Sequence, residues 1–220
     1  MTYSWRNAPA NPSVEQLAAV NELLQSIGQA PVTTLDTSNP DVAMAWNTLV
    51  TTSRNVQAEG WTYNREYHYQ MLRSADSATE NQILIPTNML QCELCPKDLK
   101  NKGHDGVMRA TQSGQMKLYD RERHTYQWDI DPYCDVLWMF EWETIPIPIQ
   151  YYVVARASST MAIRAVGDSG QYAMLKEIED YTKQQAHEYD NNQGEFSMLT
   201  GDPNNFYYLP YEVARTLQRY

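Results

Sequence analysis

The stretch Ser13-Val14-Glu15-Gln16-Leu17-Ala18-Ala19-Val20-Asn21-Glu22-Leu23-Leu24-Gln25-Ser26-Ile27-Gly28 contains the start, the face and the stop of one helix. Ser13 and Gln16 have capping-box spacing, in which each side chain satisfies the other residue's backbone N–H. Leu17, Val20, Leu24 and Ile27 recur at helical intervals. Gly28 then ends the element, because glycine adopts the left-handed cap conformation without steric cost. A second helix opens at Asn39-Pro40, with proline in a first-turn position where its missing N–H is no loss. Val42, Trp46, Leu49 and Val56 form its apolar stripe, which stops near Gly60. The pair predicts a helical hairpin. Ala30-Pro31-Val32-Thr33-Thr34-Leu35 between them reads as extended chain lying against the bundle.

From Trp61 to Glu143 the signal changes to short β-type runs separated by turn residues. Glu66–Leu72, Gln82–Ile85, Met89–Leu94, Val107–Ala110, Met116–Tyr119, Thr125–Asp129 and Val136–Glu143 are expected strands, with Gly103, Gly106 and Gly114 among the turns. Pro146 and Pro148 then prime a third helix to about Val166. Asp168 or Ser169 caps a fourth, bearing Tyr172, Leu175, Ile178 and Tyr181. The expected class is α+β: a bundle of N- and C-terminal helices (1–60 and 146–192), an inserted β-rich domain (61–145) and an extended C-terminal arm (193–220). There is no internal repeat.

Composition narrows the functions open to such a chain. Its 220 residues suffice for one sizeable domain or two small ones, and 42% hydrophobic content supplies a packed core. Lys and Arg number 17 against 27 Asp and Glu, a net charge of −10, so a broad basic surface for sequence-specific DNA binding is not expected. The chain has 16 Tyr and 6 Trp but only 3 Phe, a bias toward aromatics that suit half-buried and interfacial positions. The N-terminal residues lack the basic start and apolar run of a signal peptide, and no stretch approaches a membrane span, so a soluble protein is expected. Three cysteines make no disulfide framework and read as free thiols of a reducing cytoplasm.

Leu17 to Gly28, followed by Pro31-Val32 and Leu35, resembles the opening of the podovirus tail tubular protein A family. Gly60-Trp61-Thr62-Tyr63-Asn64-Arg65-Glu66 resembles the same family after its second helix. Glu188-Tyr189-Asp190 and Phe196-Ser197-Met198-Leu199-Thr200-Gly201-Asp202 are similar to its ending. The resemblance implies a non-enzymatic virion component: a dodecameric ring seated on the portal protein and receiving the tail nozzle protein, with a central channel through which genomic DNA leaves. It implies no cofactor and no membrane partner. An acidic balance fits a tube that must pass DNA without holding it.

Several residues invite chemical readings, each with a plainer one beside it. Cys92-Glu93-Leu94-Cys95, with His104 nearby and Cys134 far off, contains zinc-binding residue types, but one Cys-x-x-Cys without a second close pair is an incomplete site. The alternative is two small side chains at a strand end. Pro96 and strand-like flanks argue against a redox pair opening a helix. Asp129, Asp131, Glu141 and Glu143 among Trp128, Trp138, Phe140 and Trp142 have the ingredients of a glycosidase, so a tail-associated glycan-binding or glycan-hydrolysing protein is the alternative function. The plainer reading is a strand with Trp138, Phe140 and Trp142 inward and both glutamates in water. His68, His104, His124 and His187 read as surface or turn histidines. No Gly-x-Ser-x-Gly elbow, phosphate-binding loop or dinucleotide fingerprint is present. Lys97, Lys100, Lys102, Arg121 and Arg123 form basic islands in turns, able to meet DNA or an acidic neighbour, or simply solvated.

The C-terminal arm is the candidate interface. Asn191-Asn192-Gln193-Gly194 terminates the fourth helix and Gly201-Asp202-Pro203 breaks the chain again. Yet the arm carries Phe196, Met198, Leu199, Phe206, Tyr207, Tyr208, Tyr211 and Leu217, too much apolar surface for a solvated tail. Clasping a neighbouring protein is the expectation, with folding back on its own bundle the alternative.

Overall fold

The computed structural model describes Pro9, residues 12–95 and residues 98–194. The fold is α+β, and the chain divides into two compact units: the residues up to Gly60 together with Met139–Asp190, and Trp61–Trp138.

In the helical unit α1 (Val14–Ser26) starts at the expected capping box: the Ser13 hydroxyl accepts from the Gln16 N–H at 3.1 Å while the Ser13 N–H donates to the Gln16 amide at 3.2 Å. Gly28 follows with φ of +79°, the left-handed conformation its type predicted. Asn39 caps α2 (Pro40–Gln57), accepting from the Asp41 N–H at 3.0 Å. The extended link lies on the bundle as expected, since the Asn21 amide exchanges two hydrogen bonds with the Val32 backbone, at 2.7 and 2.9 Å. Pro148 stands in the first turn of α3 (Ile147–Ala165), whose middle is buried on nearly every side through Tyr152, Val153, Ala157 and Met161. These pack with Leu23 and Leu24 of α1 and Trp46, Leu49 and Val56 of α2, all sequestered from water. Gln57, fully buried, accepts from the Phe140 N–H at 2.8 Å and donates to the Phe140 carbonyl at 3.2 Å, fixing the segment before α3 to the end of α2. The fourth helix, α4 (Ser169–Gly194), begins where Asp168 accepts from the Gly170 N–H.

The β-rich unit contains a three-stranded antiparallel sheet, ordered β1 (Arg65–Gln70), β5 (Tyr133–Trp138), β2 (Met89–Leu94), and a hairpin of β3 (Gly106–Ala110) with β4 (Met116–Asp120). Ile83, Met89, Cys92, Leu118, Trp128, Cys134 and Val136 form its core. Asn64, buried, accepts from the Trp61 N–H and donates to the Trp138 carbonyl, tying the entry of the sheet to its exit.

Three expectations need correction. The runs 82–85 and 125–129 are not strands: they make isolated bridges, Gln82 to Gln127 and Leu84 to Lys117, although Ile83 and Trp128 are buried as their residue types suggested. The last strand ends at Trp138 instead of reaching Glu143, and Trp142 is buried from a 3-10 turn, Trp142–Thr144. Met139 is buried as well, so the alternation stops at the strand end and the aromatics of 138–142 do not share one face. On α4 the inward face runs through Leu175, Glu179, Thr182 and Ala186, whereas Ile178 and Tyr181 are exposed. Glu179 goes inward because the Ser159 hydroxyl donates to it at 2.6 Å and Lys176 reaches it at 2.6 Å, which satisfies a carboxylate that would otherwise be costly to bury.

Candidate functional site

The described surface shows two kinds of organised site, an exposed apolar helix face and a buried polar node. The helix face belongs to α3 and α4. Met174 (72% exposed), Ile178 (53%) and Tyr181 (60%) lie along one side of α4, and Ile163 and Val166 are exposed at the end of α3. Ile147 and Tyr151 are exposed at the other end of α3. Single exposed apolar residues are ordinary, but on α4 three of them recur at the spacing by which helices contact one another.

The polar node is in the β-rich unit. The His104 side chain is only 3% exposed, so of the two expected settings, surface or turn, the turn is the one found, its N–H donating to the Asn101 carbonyl. Its Nδ1 lies 2.6 Å from Asp120, itself 1% exposed, and its Nε2 lies 3.2 Å from Asp129. Asp120 also accepts from the backbone N–H groups of Asp105, Glu122 and Arg123 at 3.0 to 3.3 Å. Burial opposes the charge on Asp120, but the His104 bond and these N–H groups outweigh it and hold the carboxyl below its ordinary range. The node therefore pins the turn after β4 to the chain before β3. Trp128 stacks on the His104 ring at 5.2 Å and donates its indole N–H to the Leu118 carbonyl.

This arrangement also decides the chemistry of the surrounding carboxylates. Arg123 binds Asp129 at 2.6 Å and Arg73 binds Asp131 at 2.9 Å, and each guanidinium holds its carboxyl below the usual range. A glycosidase acid needs the opposite, a carboxyl raised toward neutrality, and the arginines beside both aspartates push the other way. The open hollow beside Asp129, about 500 Å³, is lined by Arg73, Asn81, Arg123, Gln127 and Asp129, its guanidiniums already engaged by carboxylates. Glu141 and Glu143 belong to the helical unit and are exposed.

The thiols are structural. Cys92 and Cys134 sit in the sheet core, and Cys95 donates to Asp135 at 2.9 Å. Burial first, then the neighbouring Asp135 carboxylate, pushes the Cys95 thiol up to about 12. Among the described residues no group of three His, Cys, Asp or Glu side chains is placed to hold a metal ion, and His104 is engaged by aspartates instead of joining the cysteines. Of the basic islands, Arg121 pairs with Asp105, Arg123 with Asp129, and Lys100 lies over the Tyr133 ring, while Lys97 is outside the described residues. The interface residues expected in the C-terminal arm, Phe196 to Leu217, also lie outside them.

A family model for the tail tubular protein matches residues 17–196. The chain belongs to the tail tubular protein family. The tail tubular protein A of Klebsiella phage KP34 is 22% identical over 181 residues, covering 82% of this chain and 89% of that protein. The chain is a structural component of a phage virion and is located in its tail. Sequence reasoning reached this family from the helix-hairpin and ending motifs but missed the His104 node and the outward face of α4. The apolar spacing of Met174, Ile178 and Tyr181 was the signal available for the second.

Proposed function

We propose that the chain forms a dodecameric ring that joins the portal protein to the tail nozzle protein and encloses part of the channel through which DNA is ejected. The observation that carries this reading is the row of exposed apolar residues on α3 and α4 in a protein of the tail tubular family. In this arrangement the bundle faces the portal, and the β-rich region reaches toward the nozzle and sister subunits. The C-terminal arm leaves its own domain, and Phe196, Met198, Leu199, Phe206, Tyr207, Tyr208, Tyr211 and Leu217 bury against the portal or an adjacent subunit. DNA passes without sequence-specific contact, as the net charge of −10 favours. Assembly requires no nucleotide and no metal.

Analytical ultracentrifugation of the protein alone and mixed with its portal tests this. A ring is expected, forming chiefly when portal is present. A strict monomer that ignores the portal overturns the reading. Truncation after Gln193 tests the arm: helical content and melting temperature should hold while ring attachment is lost.

A further inference from the structure

The α4 helix has two contact faces where a peripheral helix needs one. Its inward face, Leu175, Glu179, Thr182 and Ala186, is covered within the chain. About a quarter turn away around the helix, Met174, Ile178 and Tyr181 recur four and then three residues apart and stay exposed. That spacing is the one by which a helix meets another helix. Glu177 and Glu188, both exposed, border this outer seam with negative charge.

The same unit offers a face of opposite character. Between Asp41 and Arg54, α2 has no charged residue, although Asn47 and Thr51 are exposed and Ala43, Met44 and Val50 are half-buried. A helix side left to water ordinarily carries charge, whereas the centre of a protein interface is depleted of it. Arg54 closes this face, exposed and with no acidic partner among the described residues. One face of the unit is thus an apolar seam with a glutamate border, and the other a neutral strip ending in an unpaired guanidinium.

We propose that the outer seam of α4 in one copy of the chain packs against the outward face of α2 in the next copy, with the Glu177 side of the seam meeting Arg54. A second copy is the occupant because each copy holds both halves of a charge-complementary pair and cannot satisfy them itself. Because the two faces differ, the contact is head-to-tail and propagates from copy to copy until it closes as a ring. The inference rests on the proposed assembly of copies and assigns the surface that makes it.

The test uses two variants at exposed positions, Ile178→Glu on the seam and Asn47→Glu on the α2 face, each checked for an unchanged melting temperature. Wild-type protein, with portal where assembly needs it, is the reference. Each variant alone should lose ring assembly at least tenfold in mass photometry. Mixed in equal amounts under the conditions in which the wild type assembles, with portal where it is needed, they should give crosslinked dimers and nothing larger, since one intact seam then meets one intact α2 face. Rings from either variant at the wild-type level, or a mixture that remains monomeric, overturn the assignment while leaving the ring itself standing. A wild-type protein that never assembles is the different failure, that of the proposed ring.

Discussion

The two units of this chain are held together by different forces. The helical unit relies on α3, whose middle is buried on nearly every side through Tyr152, with Leu23, Trp46 and Leu49 of the other helices sequestered too, and its ion pair between Arg156 and Glu59 lies near the surface. The β-rich unit has an apolar core too, but its turns are fastened by polar and charged side chains: His104 to Asp120, Arg123 to Asp129, Arg73 to Asp131, Arg121 to Asp105. Long helices bury their own backbone polar groups and leave only packing to be arranged. Short strands and long turns leave backbone N–H groups that need side-chain acceptors, and Asp120 alone takes three of them. The helical unit accordingly leaves apolar side chains such as Met174, Ile178 and Tyr181 exposed, while the β-rich unit spends its polar residues on internal order.

If that contrast is right, the largest single losses should differ in kind. Leu49→Ala in the helical core removes a side chain 2% exposed and should cost about 3 kcal/mol by transfer and cavity formation. That cost should be the same at neutral and at acidic pH, as read by denaturant unfolding followed through helical circular dichroism. Asp120→Ala should cost a similar amount, about 3 kcal/mol, because it leaves a buried histidine and three N–H groups without their acceptor. Its cost should shrink with acid. The folded pKa of Asp120 lies below the unfolded value, so its stabilisation is complete above the unfolded value, about 4, and is lost as pH falls through the folded one. Wild-type protein should therefore lose β-unit stability below about pH 4 while the variant loses less. An Asp120→Ala penalty that persists unchanged in acid would put the node's contribution in shape and not in charge.

Gly106→Ala probes the apolar side of the same unit and should cost about 2 kcal/mol. A Cβ there would sit 3.0 Å from the Leu94 Cγ and 3.2 Å from the ring of the buried Trp128, so both neighbours must shift to admit it. Tryptophan fluorescence during urea unfolding measures it, and a loss under 0.5 kcal/mol, the ordinary range of a surface change, would mean that the contact relaxes freely.

Local chemistry made the helix ends legible and tertiary chemistry hid the rest. Ser13 with Gln16, Asn39 with Pro40, and Gly28 act within a few residues of themselves, so their roles could be read from spacing alone. Strand β2 was found at its true bounds, Met89–Leu94. The aromatic and acidic alternation of 138–143 imitates a strand, but pairing ends at Trp138, opposite Met89, and the chain turns. On α4 the stripe of Tyr172, Leu175, Ile178 and Tyr181 was drawn by hydropathy, which ranks Ile178 above Glu179. The true inward face depends on Ser159, a partner distant in sequence. His104 and Asp120 were likewise invisible, since nothing in a turn-like sequence says which aspartate will be buried against which histidine.

The smallest expected effect tests the most legible feature. In the capping box Ser13 satisfies the Gln16 N–H and Gln16 satisfies the Ser13 N–H, both in a half-buried setting. Removing either side chain strands one backbone donor that water can partly reach, so Ser13→Ala should cost about 1 kcal/mol and Gln16→Ala somewhat less. The two bonds lean on one another, because each holds the first turn in the geometry the other needs. The double variant should therefore cost less than the sum of the singles. The loss should fall on the helical unit alone, lowering its melting transition by a few degrees and leaving the acid response set by Asp120 where it was. Strict additivity would mean that the two bonds form independently, and a shift in the acid response would mean that the two units do not divide the work as their chemistry indicates.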